Sequence, residues 1–286
     1  MDPRILALYD EYTHAPLPRR QFLERLAALA GGSAAAMALL PLLDSNYAHA
    51  AVPESDPRVA TGWVTYRGRS GDIRAYVATP RSGPAKRAGV IVVHENRGLT
   101  PHIQDVTRRV ALEGFTGLGV DLLAPHGGTP DDEDKARELF ARIDRDRAHL
   151  DVVDALRYLE ARDDAAGPVG AMGFCFGGGV VNMLATAAPT LDAGVVFYGR
   201  PPPSADVPRI RARMLLHYAG NDAGTNGGMA AYEAGLKAAG VRYEQYVYPG
   251  VEHAFHNDTS AARYDRAAAE LAWSRTIAFL KATLAS

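Results

Sequence analysis

Residues 168–181 read PVGAMGFCFGGGVV, and this stretch decides the fold. PVGAMGF is an apolar run of strand length, and GGGVVNMLATAA, residues 177–188, continues it with helical spacing. Between them lies Cys175, the only cysteine of the chain, in a G-x-C-x-G frame set by Gly173 and Gly177. A strand that turns sharply into a helix lifts the residue at the turn above the sheet, and glycines are needed where neighbouring backbone crowds in. A lone cysteine is more often a small buried hydrophobe than a reactive group. At this turn, however, the helix dipole and unbonded amides stabilise a thiolate, and the N–H of Phe176 faces the same space as an oxyanion donor. The pattern therefore predicts a nucleophile, provided that partners exist downstream.

The pattern on either side is consistent with that turn. GWVTYR and DIRAYVATP alternate around GRSG as an opening hairpin, and AGVIVVHE is a β-branched run of the kind covered on both faces. FTGLGVDLL, AGVVFYG, ARMLLHYAG and VRYEQYVYP read as further strands. Helical patterns separate them: HIQDVTRRVALEG, DDEDKARELFARI, HLDVVDALRYLEAR, GGMAAYEAGLKAAG and a closing RAAAELAWSRTIAFLKATL. Strands alternating with helices imply an α/β fold, with a mostly parallel sheet and helices on both faces. The acidic run Asp131 to Asp134 suits a helix N terminus.

Composition excludes several function classes. With 286 residues and 47% hydrophobic content, the chain can bury a large core in one large domain or two modest ones. The 31 basic and 33 acidic residues give a net charge of -2, so no nucleic-acid partner is expected. A single cysteine excludes an intrachain disulfide and any multi-cysteine metal site.

Residues 1–55 differ from the rest and are read as a leader and linker, with the main domain over 56–286. Arg19 and Arg20 precede an alanine-rich apolar run that ends in AHA at 48–50, the order of a twin-arginine export signal. Export to the periplasm is expected on that reading, and the first 50 or so residues are then dispensable for catalysis. The alternative is a retained amphipathic helix in a cytoplasmic protein, which Glu24 and Arg25 support. Gly31, Gly32, Pro41 and Asp44 make the run a poor membrane span.

An elbow nucleophile needs an acid and then a histidine downstream, in that chain order. Asp222 follows the strand ARMLLHYAG, and Asp192 and Asp206 are less well placed. His253 lies in YPGVEHAFHND, before the final helix. His253 would take the thiol proton and Asp222 would hold its ring in the correct tautomer. His256 and Asp258 in the same loop raise a metal reading, but the chain has no further ligands at metal spacing, so none is expected. VVHENRG, residues 92–98, ends a central strand, and the N–H of Asn96 is the second expected oxyanion donor. Glu95 beside it would repel an oxyanion. It is read as a carboxylate that acts on the Cys175 thiol, or more blandly as the partner of Arg97 or Arg109.

These motifs, VVHENRG, GFCFGGG, VFYGRPPP, GND and YPGVEHAFHND, resemble those of the dienelactone hydrolases, or carboxymethylenebutenolidases, within the α/β-hydrolase fold. The resemblance runs from about Trp63 to the C terminus. It implies a triad of Cys175, Asp222 and His253, with Glu95 activating the thiol. In that family arginines near the D-L strand end and just beyond the triad histidine bind the substrate carboxylate. Here those regions read DLLAPHGG and HAFHND, without arginine, which puts the dienelactone itself in question. Arg200 is a candidate substitute cation, and Tyr198 and His126 are candidate pocket residues. The expected activity is cofactor-free hydrolysis of small esters or lactones. Thiol redox chemistry at Cys175 and a non-catalytic binding role are the readings from other classes.

Overall fold

The computed structural model describes residues 1–14, 17–44, 51–165 and 167–285. AHA at 48–50, the expected cleavage point, lies outside the described residues. Eight strands, β1 Val59–Arg67, β2 Asp72–Pro80, β3 Gly89–Val93, β4 Thr116–Val120, β5 Val169–Phe174, β6 Ala193–Phe197, β7 Arg213–Asn221 and β8 Tyr243–Glu252, form one sheet in the order β1-β2-β4-β3-β5-β6-β7-β8. β2 is antiparallel to β1 and β4, and the pairs from β4 to β8 are all parallel. The helices are α1 Pro3–His14, α2 Arg19–Ala30, α3 Ser33–Leu43, α4 Pro101–Leu112, α5 Glu133–Phe140, α6 Arg145–Glu160, α7 Phe176–Ala187, α8 Ala223–Asn226, α9 Met229–Ala238 and α10 Arg266–Leu284. This is the expected α/β-hydrolase architecture.

Every residue of β3, β4, β5 and β6 is buried, because helices cover both faces. Val152 and Leu156 of α6, Val180 and Leu184 of α7 and Leu236 of α9 share one core with Ile91 and Val93. Ile103, Val106 and Val110 of α4 and Phe279 and Leu280 of α10 share the other with Val90 and Val92. The strand β3 stops at Val93, two residues short of the apolar-run reading. His94 turns the chain there: its Nδ1–H donates to the Glu95 carbonyl at 2.5 Å, and its Nε2 accepts from the Leu122 N–H at 3.2 Å. Only a neutral imidazole does both, and burial pushes the His94 pKa down in agreement.

The N-terminal segment packs as a helical unit. Tyr9, Tyr12, Phe22, Leu26 and Leu43 form a separate core, joined from the main domain by Ala262. Gly31, at φ 84°, caps α2 in the left-handed region, and α2 and α3 bend by 110° at the Gly31–Gly32 break. Among the described residues no single helix is long and apolar enough to cross a membrane. Of the twin arginines, Arg19 pairs with Asp134 of α5, and Arg20 with Glu24 of its own helix at 3.6 Å. Beyond α3 the chain is tied down by Asp105, whose carboxylate accepts from the amides of Ala51 and Val52 at 3.0 and 2.8 Å.

Candidate active site

The site lies at the carboxyl ends of the central strands. Cys175 leaves β5 and opens α7 at φ 53° and ψ -113°, a backbone conformation that costs a non-glycine residue of order 1–3 kcal/mol. Packing around the turn enforces it. A Cβ on Gly173 would meet the Gly177 carbonyl at 2.2 Å, and one on Gly177 would meet the Val93 and His94 carbonyls at 2.3 and 2.6 Å. The elbow is thus pressed against the end of β3, where Glu95 and Asn96 follow. Cys175 itself is half-buried, at the N terminus of a twelve-residue helix.

Asp222 caps the short helix α8 directly after β7, and His253 directly follows β8. Asp222 Oδ1 accepts from the Thr225 N–H at 3.0 Å, and Oδ2 accepts from His253 Nδ1–H at 2.5 Å. Burial pushes the Asp222 pKa up, but the His253 hydrogen bond and the Thr225 donors outweigh it and hold the carboxyl below its ordinary value. With Nδ1 protonated, Nε2 is the basic nitrogen of the ring.

Tyr198 joins these groups. It follows β6 at φ 39°, its ring centroid lies 4.9 Å from that of His253, and its hydroxyl donates to Glu95 Oε1 at 3.3 Å. Burial, together with the charges of Glu95 and Cys175, raises the Tyr198 pKa well above the phenol range, so it remains a donor. Glu95 Oε2 accepts from Asn257 Nδ2 at 2.8 Å. The bland reading of Glu95 as an arginine partner is therefore corrected: Arg109 pairs with Asp105 and Asp258, and Arg97 faces Glu133 at 3.7 Å. Phe176 opens α7, where the first amides have no partner within the helix, and the Asn96 amide makes no backbone–backbone hydrogen bond among the described residues. The Asn96 side chain, in contrast, donates to the Thr13 carbonyl of α1 at 2.5 Å.

A family model described as the dienelactone hydrolase family matches residues 73–284, and a second, described as YqhI-like, matches residues 1–31. The chain is 28% identical over 256 residues to a "Putative carboxymethylenebutenolidase" of Saccharolobus solfataricus, covering 76% of this chain and 97% of that protein. It is 30% identical over 239 residues to a "Probable 2-oxo-3-(5-oxofuran-2-ylidene)propanoate lactonase" of Bradyrhizobium, covering 78% and 94%. A solved structure called "Putative Dienelactone Hydrolase", from Klebsiella pneumoniae, superposes with a TM-score of 0.68 at 26% identity, covering 77% of this chain and 97% of that one. The chain belongs to the dienelactone hydrolase family. It is a hydrolase, and its sheet order is that of the family's α/β-hydrolase fold.

Of the expected pocket residues of this dienelactone hydrolase, His126 is exposed on a 3-10 turn after β4, and Arg200 is exposed after β6, its carbonyl accepting from Asn182 Nδ2 at 2.9 Å; neither lines the cavity beside Glu95. His256 is buried among Phe174, Phe197 and Trp273, and Asp258 is occupied by Arg109 and His102, so the two do not converge. Sequence reasoning missed Asn257, which holds Glu95, and Arg263, whose charge burial disfavours but Tyr9, Glu95, Asp10 and Cys175 together stabilise by more. It also missed Tyr9 and Thr13. These line a cavity of about 20 Å³ together with Glu95, Asn96, Asn257 and Arg263.

Proposed function

We propose that this dienelactone hydrolase cleaves small esters or lactones through a thioester acyl-enzyme on Cys175, without a cofactor. The 2.5 Å hydrogen bond between Asp222 and His253, beside a glycine-crowded elbow, carries the reading. It orients a general base whose other nitrogen is the basic one. Glu95 draws off the thiol proton, which passes to His253 as substrate settles. The Cys175 thiolate adds to the carbonyl carbon, and the N–H groups of Phe176 and Asn96 hold the oxyanion. The tetrahedral species collapses by breaking the carbon–oxygen bond, and His253 returns the proton to the departing oxygen. A water molecule then gives a proton to His253 and its hydroxide to the thioester carbon. Collapse releases the carboxylic acid and the thiolate, which His253 reprotonates.

The names carried by the relatives, carboxymethylenebutenolidase and lactonase, favour a lactone as substrate. Arg263 supplies a positive charge beside Glu95 that DLLAPHGG and HAFHND lack. A thiol redox role leaves the Asp222–His253 pair without a task. The test is Cys175→Ala, which should lose at least about 10³-fold in turnover of an activated ester at unchanged melting temperature. Iodoacetamide should also inactivate the parent with one label per chain. A variant that keeps more than about a tenth of turnover removes Cys175 from the chemistry.

A further inference from the structure

We infer that Tyr9, on the helix α1 outside the hydrolase domain, is a specificity-determining residue that roofs the substrate site and limits the size of group accepted beside Glu95. The inference rests on the hydrolase reading above. The family match begins at residue 73, so α1 lies outside the matched residues. Tyr9 nevertheless stands beside Glu95 and Asn96, across a cavity that it shares with them. Only 2% of it is exposed, and it lines the cavity that Glu95, Asn96 and Arg263 form from below. The Arg263 guanidinium carbon lies 5.1 Å from its ring centroid. The cavity, about 20 Å³, has room for about one water molecule, so removing the Tyr9 ring would enlarge it several-fold.

The roof is built in. Tyr9 packs against Phe22 and Tyr12, with ring centroids 6.1 and 6.3 Å away. The far end of α1 is gripped from α5: Asp134 accepts from the Tyr12 hydroxyl and from the Arg19 guanidinium. Arg137 covers the Tyr12 ring at 4.2 Å and donates to the Leu17 carbonyl at 3.2 Å. The Asn96 side chain holds the Thr13 carbonyl, so α1 is fixed to the loop that carries the proposed oxyanion donor. The acidic run at 131–134 thus has a second task besides starting α5.

The experiment compares the full-length parent with Tyr9→Ala and Asp134→Asn. It uses p-nitrophenyl acetate against p-nitrophenyl hexanoate, and in parallel the alkylation rates of Cys175 by iodoacetamide and by the bulkier N-phenylmaleimide. Both variants should raise the kcat/KM ratio of hexanoate over acetate by about tenfold or more, on the scale of a pocket that gains a few methylenes of room. The maleimide-to-iodoacetamide rate ratio should rise with it. Ratios within twofold of the parent in a folded Tyr9→Ala protein overturn the inference. If that variant does not fold, Tyr9→Leu is read by the same criterion. A parent that hydrolyses neither ester counts only against the proposed cleavage of small esters by Cys175, because the alkylation ratio still decides whether Tyr9 is the roof.

Discussion

Glu95→Gln separates chemistry from architecture at this site. The carboxylate accepts from Tyr198 Oη at 3.3 Å and from Asn257 Nδ2 at 2.8 Å. Glutamine keeps the length and one carbonyl oxygen. That oxygen can take the Asn257 donor, and the amide NH2 can face a Tyr198 hydroxyl rotated to accept. Both contacts survive in neutral form, but the buried Arg263 also loses the charge of Glu95, so the stability lost is about 2–3 kcal/mol. For a chain of this size that lowers the melting temperature by several degrees. The rate behaves differently. If Glu95 draws off the thiol proton, its loss should slow turnover by about 10²-fold, or about 2.7 kcal/mol in barrier. Raising the pH toward the ordinary thiol value of about 8.5 should then restore part of the rate by forming thiolate directly. Turnover and thermal midpoint are measured on one preparation from pH 6 to 9. A kcat within threefold of the parent at pH 7 would refute the activation role, whatever the melting temperature does.

Other expectations follow from the same geometry. Gly177→Ala puts a methyl 2.3 Å from the Val93 carbonyl, so chemical unfolding should show a loss of about 3 kcal/mol or no folded protein at all; a stable, active variant would contradict the crowded elbow. His217 is buried between Thr276 and Tyr248, and burial lowers its pKa to about 3. Between an unfolded value of about 6.5 and about 3, the unfolded chain binds a proton that the folded one excludes, so its stabilising contribution is whole above pH 6.5 and falls with acidity. Urea unfolding should therefore lose about 2 kcal/mol from this residue between pH 7.5 and 5.0, and a native His217 imidazole titrating near 6.5 by NMR would rule that out. N-terminal sequencing of the chain from its own cells should find α1 intact if Tyr9 roofs the working enzyme. A periplasmic protein starting near Ala51 is the export outcome and would remove the roof.

The parts of the fold set by local chemistry could be read from the chain. Continuous β-branched runs such as GVIVV mark strands buried on both faces, and two glycines around Cys175 mark the elbow because no side chain fits there. Asp222 and His253 could be located because strand ends present side chains at one edge, and an acid and a base at two such ends must meet. Tertiary paths could not be read. Asn257 reaches Glu95 across 162 residues, and nothing local distinguishes it from His256, which turns into the core instead. The first helices were hidden for a compositional reason. Twin arginine, apolar run and small residues describe both an export leader and an amphipathic unit whose partner, Asp134, lies 115 residues beyond Arg19.

The way the helical unit is joined to the main domain has a consequence for ancestry. Apart from Tyr9 and the contact with Ala262, its large apolar side chains are spent on one another, and toward the domain it offers contacts that are mostly polar: Thr13 to Asn96, Tyr12 and Arg19 to Asp134, Leu17 to Arg137. A gene that lost or gained the first forty-odd codons would leave little bare greasy surface on the enzyme, since water can satisfy asparagine, aspartate and arginine. Such a module can be traded between lineages in one recombination event, without compensating changes in the core. If Tyr9 is the roof, diversification of this enzyme can then proceed by exchanging roofs while the floor stays the same.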